Sequence, residues 1–418
     1  MEYPGFMQLL AEIPERDEAW KQLLAGLLVV RLAHAAFHDL EAGPEGLRVV
    51  RRAIRGVNDL REVRRLERIV DAARATSEDW SANDVLSGLL MSYAVLLHKR
   101  GYRVAGADVC SVLIKSPIDD MAVRLSAMLN RAFAHRVEGR LDPAEADYRM
   151  LRGAASLLRE AHMYRQAELG LAKVMIERGN YQFATPALEE LRDEAREAND
   201  HALLGIVLLD LAALAGLRKD YGSSIAYSEE ALAYIVDASQ RERCYVNMAR
   251  AARDIGDPVR AGQYAALVRE TGLDADIRAR AGLILYVLAI DAGRIPARDA
   301  ARQWLEGETL APGVECDFRE AIAYACAMDG EFDEAIAAVN AMLAVAERHR
   351  LGEMIHQGDT ALGYLKRRRV PPVYFAAIRS VSARESVRGR ALRVGVRHAA
   401  TAAQHVATST RLVLTGTS

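Results

Sequence analysis

Ile322-Ala323-Tyr324-Ala325-Cys326-Ala327-Met328-Asp329-Gly330-Glu331-Phe332-Asp333-Glu334-Ala335-Ile336 is the stretch on which the reading of this chain turns. It opens with a run of small and apolar residues that suits a helix. Gly330 follows, and glycine tolerates the left-handed backbone that ends a helix. A second helical segment begins at once, with Ala335 five residues after the glycine. A small residue there lets the second helix lie close to the first. The stretch therefore predicts an antiparallel helical hairpin.

The same pattern recurs on both sides. Gly139 is followed by Ala144, Gly179 by Ala184 and Gly256 by Ala261. Gly293 is a weaker copy, with Arg298 where alanine is expected. Lys219-Asp220-Tyr221 with Ser224 lacks the glycine, and Gly101 with Gly106 begins the series. The turns at 101, 139, 179, 219, 256, 293 and 330 are separated by 38, 40, 40, 37, 37 and 37 residues. Upstream of the turns recur the pairs Tyr93-Ala94, Leu171-Ala172, Leu211-Ala212, Met248-Ala249, Leu285-Tyr286 and Ile322-Ala323. They are expected to form the seam within each hairpin. One hairpin cannot bury its apolar face alone, so neighbours must stack.

This pattern resembles the tetratricopeptide repeat family, whose repeat is about 34 residues long with a W-x2-L-G-x2-Y helix and a G-x-Y/F-x-x-A turn. The best matches are the stretch around Gly330 and Leu171-Ala172 with Gly179-Asn180-Tyr181-Gln182-Phe183-Ala184. The leading tryptophan is absent, alanine replaces the first glycine, and the period is longer. Such long repeats are also similar to the helical domains attached to bacterial transcriptional regulators. The resemblance covers Asp84 to Leu365. It implies an all-α, right-handed α-solenoid of stacked antiparallel helix pairs.

Composition agrees. The 418 residues include 73 alanines, and aromatics are 6%. Alanine loses no side-chain entropy in a helix, whereas sandwiches and barrels want β-branched and aromatic residues. The net charge of −2 excludes a chain dominated by nucleic-acid electrostatics. It is a cancellation: residues 371–418 carry seven Arg and one Glu, so the rest carries −8.

Three regions are expected: an N-terminal helical cap of degenerate repeats (1–83), the repeat array (84–383), and a basic tail (384–418), weakly helical or disordered. In the cap, Asp17 to Leu40 reads as one helix, Gly43-Pro44 breaks it, and Asp59 caps a later helix running to Ala75. Cys110, Cys244, Cys316 and Cys326 form no CxxC pair and read as reduced thiols, which points to the cytoplasm. Neither a signal peptide nor a transmembrane span is expected.

Motifs for chemistry are lacking: there is no GxxxxGK[ST], GxGxxG or GxSxG. His34 and His38 share one helix face but have no third ligand, so no metal, cofactor or catalytic residue is assigned. Asp119-Asp120 reads as a helix N-cap. The arginines between Arg48 and Arg68 read as a solvated face, or as a patch for an acidic partner or nucleic acid; the tail arginines offer the same choice.

In the resembled family the first helices line a concave groove that holds an extended peptide. Transferring the register places Asn130 and Arg136, then Lys173, then Arg243, Asn247, Arg250 and Arg253, then Arg280 in that groove. Arg243, Asn247 and Arg250 are spaced by four and three and share one face. Such a groove would suit a carboxylate or an acidic peptide. The expected function is a non-enzymatic protein- or peptide-binding scaffold. The alternative is a ligand- or peptide-sensing regulator of transcription. Self-association is left open.

Overall fold

The computed structural model describes residues 2–38, 40, 44–348 and 351–371. Among them every regular element is a helix, and the chain divides between Asn180 and Tyr181 into two compact units. Unit 1 holds α1 (Pro4–Glu12), α2 (Glu18–Phe37), α3 (Pro44–Arg55), α4 (Leu60–Glu78), α5 (Asn83–Lys99), α6 (Arg103–Lys115), α7 (Met121–Val137), α8 (Leu141–Leu157) and α9 (Ala161–Glu177). Unit 2 holds α10 (Tyr181–Glu197), α11 (His201–Leu217), α12 (Tyr221–Tyr234), α13 (Ala238–Asp254), α14 (Pro258–Thr271), α15 (Ala275–Asp291), α16 (Ile295–Glu306), α17 (Pro312–Met328), α18 (Phe332–Arg348) and α19 (Gly352–Leu365).

The helix boundaries follow local chemistry. Asp17, Asp59, Asp120, Asp200, Asp220, Asp237, Asp257 and Asp274 each accept a backbone N–H of the first turn they precede. At the other end of α17, the N–H of Gly330 bonds Ala327 and that of Glu331 bonds Cys326, at 3.2 and 2.8 Å. That is a Schellman closure, and it holds Gly330 at φ +82°. The turn without glycine takes the same form, with Lys219 at φ +63°.

The small residues after the turns are sequestered. Ala144, Ala184, Ala261 and Ala335 are fully buried. Ser224, also buried, donates its hydroxyl to the Ala212 carbonyl at 2.8 Å and so removes its polar cost. The seam pairs are buried too, except that Leu285 and Ile322 are half-buried. Within each unit, consecutive helices pack as antiparallel pairs, and first helices also touch the next first helix: α5 with α7, α7 with α9, α11 with α13, α13 with α15, α15 with α17. These are tetratricopeptide-like helix pairs.

The N-terminal helices join the first pairs directly. One apolar cluster runs from Tyr3 to Ala127 and takes in α1, α2, α4, α5 and α6. Asp108 on α6 accepts the N–H of Phe6 at 2.9 Å, which fixes the first turn of α1. The expected 384–418 tail lies outside the described residues.

Candidate binding surface

The first helices carry most of the buried charged side chains among the described residues. In unit 1, Asn130 and Arg136 stand on α7 and Lys173 on α9, and all three are buried. Asn130 donates to the Ser126 carbonyl at 2.8 Å. Arg136, only 1% exposed, forms an ion pair with Glu177. Its guanidinium also lies 6.0 Å from the Phe133 ring centroid. Burial pushes His98, beside this layer on α5, down to about 4, with Arg103 acting in the same direction.

In unit 2, Arg243, Asn247 and Arg250 on α13 and Arg280 on α15 are buried, and Arg253 is half-buried. Their spacing does bring the α13 group onto one face. Arg250 sits in a notch left by Gly216 of α11, where any Cβ would collide with its guanidinium. Burial lowers Arg250 to about 10, against the pull of Asp254. Arg253 bonds Asp254 at 2.9 and 2.5 Å, and Arg280 meets Asp276 at 3.3 Å. None of these arginines is solvent-exposed. The exposed side of a helix and the side facing the next pair carry the same residue types here, so the sequence alone did not separate them.

Sequence reasoning missed the acids of the same layer. Asp210 on α11, Glu242 on α13, and Asp317 and Glu320 on α17 are buried. Glu242 accepts the N–H of Leu273 at 2.8 Å and so ties α13 to the loop before α15. The repeat itself marks Asp317, because Arg243, Arg280 and Asp317 are each 37 residues apart. That register position is therefore cationic on α13 and α15 and anionic on α17. Unit 1 has a comparable missed pair, in which Arg131 grips Asp147 at 2.9 and 2.6 Å. His135 lies 3.7 Å from the same carboxylate, and burial drives it down to about 4 despite that carboxylate.

Charges fixed in a low-dielectric layer are suited to recognition, since they are already ordered before a ligand arrives. No arrangement of a nucleophile with a base is formed by these residues. Among the described residues no group of three or more His, Cys, Asp or Glu could hold a metal ion. His34 and His38 do share a face, with ring centroids 4.8 Å apart. No helix of the described residues is long and apolar enough to cross a membrane.

On α3 and α4, Arg51, Arg52, Arg55, Arg61, Arg64 and Arg68 are exposed. Arg65 is instead half-buried and paired with Glu62, which also binds Arg100 at 3.0 Å.

No family model matches this chain, and no curated protein matches it. Among solved structures, it is similar to the Rap conjugation gene regulator of the plasmid pLS20 in complex with the Phr* peptide, at 11% identity and a TM-score of 0.48. That match covers 82% of this chain and 96% of the other. It is also similar to a Rap protein complexed with competence and sporulation factor, at 10% identity and a TM-score of 0.47, covering 82% and 100%.

Proposed function

We propose that this chain is a non-enzymatic protein- or peptide-binding scaffold. The observation that carries the reading is the first-helix layer of unit 2, where Arg243, Asn247, Arg250, Arg253 and Arg280 are held on consecutive first helices. Burying guanidinium groups is expensive, and breaking a buried ion pair by removing one partner costs about 3–5 kcal/mol. The equivalent register position on α11 is Ile206, so a stack of this kind does not need charge there. Asn130 and Lys173 give unit 1 a polar layer of the same type. The ligand class is an extended segment bearing carboxylates, met by guanidinium and amide groups.

The test is selection of a displayed peptide library on the full chain. Acidic sequences should be enriched, and enrichment should vanish on an Arg243→Gln, Arg280→Gln double variant. A Val339→Ala variant, which loses only a buried contact on α18, serves as the control for lowered stability. Equal enrichment on all three proteins contradicts the assignment.

A regulatory reading with nucleic-acid contact rests on a different observation, the exposed arginines of α3 and α4. Binding of that kind weakens steeply with salt, because each phosphate contact releases counterions. A salt-insensitive or absent mobility shift on duplex DNA removes it.

A further inference from the structure

In unit 2 the second helices pack against the first helices that follow them: α10 on α11, α12 on α13, α14 on α15 and α18 on α19. The step from α16 to α17 has no comparable packing. A trough of about 840 Å³ opens there, between α16, α17 and α18. On α17, Glu315, Phe318, Arg319, Ile322 and Cys326 line it, and at helical spacing they share one face. Asp317 and Glu320, the acids of the first-helix layer, lie on the opposite face. From α18 only Ala337, Ala338 and Ala341 reach the trough beyond its first turn, so that wall leaves the room unfilled.

The floor is apolar. Leu305 and Phe318 are buried, whereas Leu310, Ile322 and Cys326 are half-buried and remain open to the trough. From Glu315 to Cys326, at 1.5 Å per residue, the floor is about 16 Å long, or about three helical turns.

The rim is acidic. Glu306 is matched by Arg302 at 2.9 Å, Glu315 by Arg319 at 2.7 Å, and Glu308 by Arg278 at 3.8 Å. Both arginines that line the trough are therefore committed to carboxylates. Glu331 and Glu334, at the start of α18, are exposed and make no ion pair within the described residues. Burial raises the Cys326 thiol, and Glu331 and Glu334 push it the same way, so both carboxylates bear on the floor. Unmatched negative charge beside an apolar floor selects an occupant with positive charge beside an apolar face.

We propose that the trough docks an amphipathic basic helix of a partner protein, with apolar residues on Leu310, Phe318, Ile322 and Cys326 and Lys or Arg against Glu331 and Glu334. Anchors at i, i+4 and i+7 span about two turns, which the floor accommodates. The docked helix supplies α17 with the packing that α16 does not give. The site lies on the other face of α17 from the first-helix layer and prefers the opposite charge, so it does not depend on that layer.

Cys326 reports occupancy in the full-length chain. Cys110, Cys244 and Cys316 are fully buried, so thiol labelling under native conditions reads Cys326. The probe is a synthetic helical peptide of about 14 residues, with leucine at i, i+4 and i+7 and lysines in the flanking turns. A second peptide carries glutamate in place of each lysine. The lysine peptide should slow labelling saturably, and the glutamate peptide should not. A Glu331→Lys, Glu334→Lys variant alters only exposed positions and should keep its circular dichroism spectrum. It should bind the lysine peptide about tenfold more weakly, each protein being compared with its own rate without peptide. The Arg243→Gln, Arg280→Gln variant should keep the protection, which separates this site from the carboxylate-binding layer. Equal protection by both peptides, protection by neither, or unchanged affinity in the Glu331→Lys, Glu334→Lys variant overturns the proposal. Labelling without peptide that slows as protein concentration rises also overturns it, because the occupant is then a second copy.

Discussion

At the scale of single residues, the informative groups are those whose burial conflicts with their charge. Asp108 is 7% exposed, and its carboxyl is pushed up to about 6 by burial, against the backbone N–H groups of Phe6 and Gly5. The ordinary value is 3.8, so the docked form of α1 holds the proton more tightly than the undocked form. Docking is therefore most favourable below pH 4 and weakens as pH rises through about 6. Hydrogen exchange of the α1 amides, corrected for intrinsic rates, should show more protection at acid pH than at neutral pH. Asp108→Asn should remove that dependence. A protection that rises with pH instead would contradict the assignment. The burial of Arg243, Arg250 and Arg280 was not legible in the sequence, because spacing fixes which residues share a face but not what lies against it. Asp317 was legible in principle, since it continues the 37-residue register of Arg243 and Arg280.

At the scale of elements, the turns carried most of the information. Glycine followed five residues later by a small side chain marked helix pairs correctly, and Asp17, Asp59 and Asp120 marked the starts of α2, α4 and α7. Pro44 also marked a start, since α3 begins there. The Lys219 turn puts a non-glycine residue where the other turns of the series have glycine. A non-glycine residue in the left-handed region costs about 1–2 kcal/mol. Lys219→Gly should therefore raise stability by about 1 kcal/mol, read as a higher urea midpoint at unchanged slope. The converse change, Gly330→Ala, should lower stability by about 1 kcal/mol. A neutral result for both would mean that the turns do not set the pairs. Close approaches such as Gly282 against the Trp304 ring were not legible, because they depend on which helix the period brings alongside.

At the scale of the whole molecule, alanine content and repeat period pointed to an all-helical stack, and the two units are built that way. The division between Asn180 and Tyr181 was not legible. It falls at one of the regular turns, with no composition shift and no linker to announce it. The N-terminal helices share a core with the first pairs, a consequence of apolar faces on α2 and α4 that a search for repeats does not weigh. The near-zero net charge also concealed a local arrangement: guanidinium groups gathered on α13 and α15, carboxylates on α17, and a basic stretch beyond Pro371.

The central claim is that the first-helix layer of unit 2 receives a carboxylate-bearing segment. The most direct measurement is hydrogen–deuterium exchange of the full chain with and without a peptide enriched from the library. The account predicts added protection concentrated in α13 and α15, around Arg243, Asn247, Arg250 and Arg280, and its loss in the Arg243→Gln, Arg280→Gln variant. Protection confined to other helices, or equal protection in the variant, would contradict it.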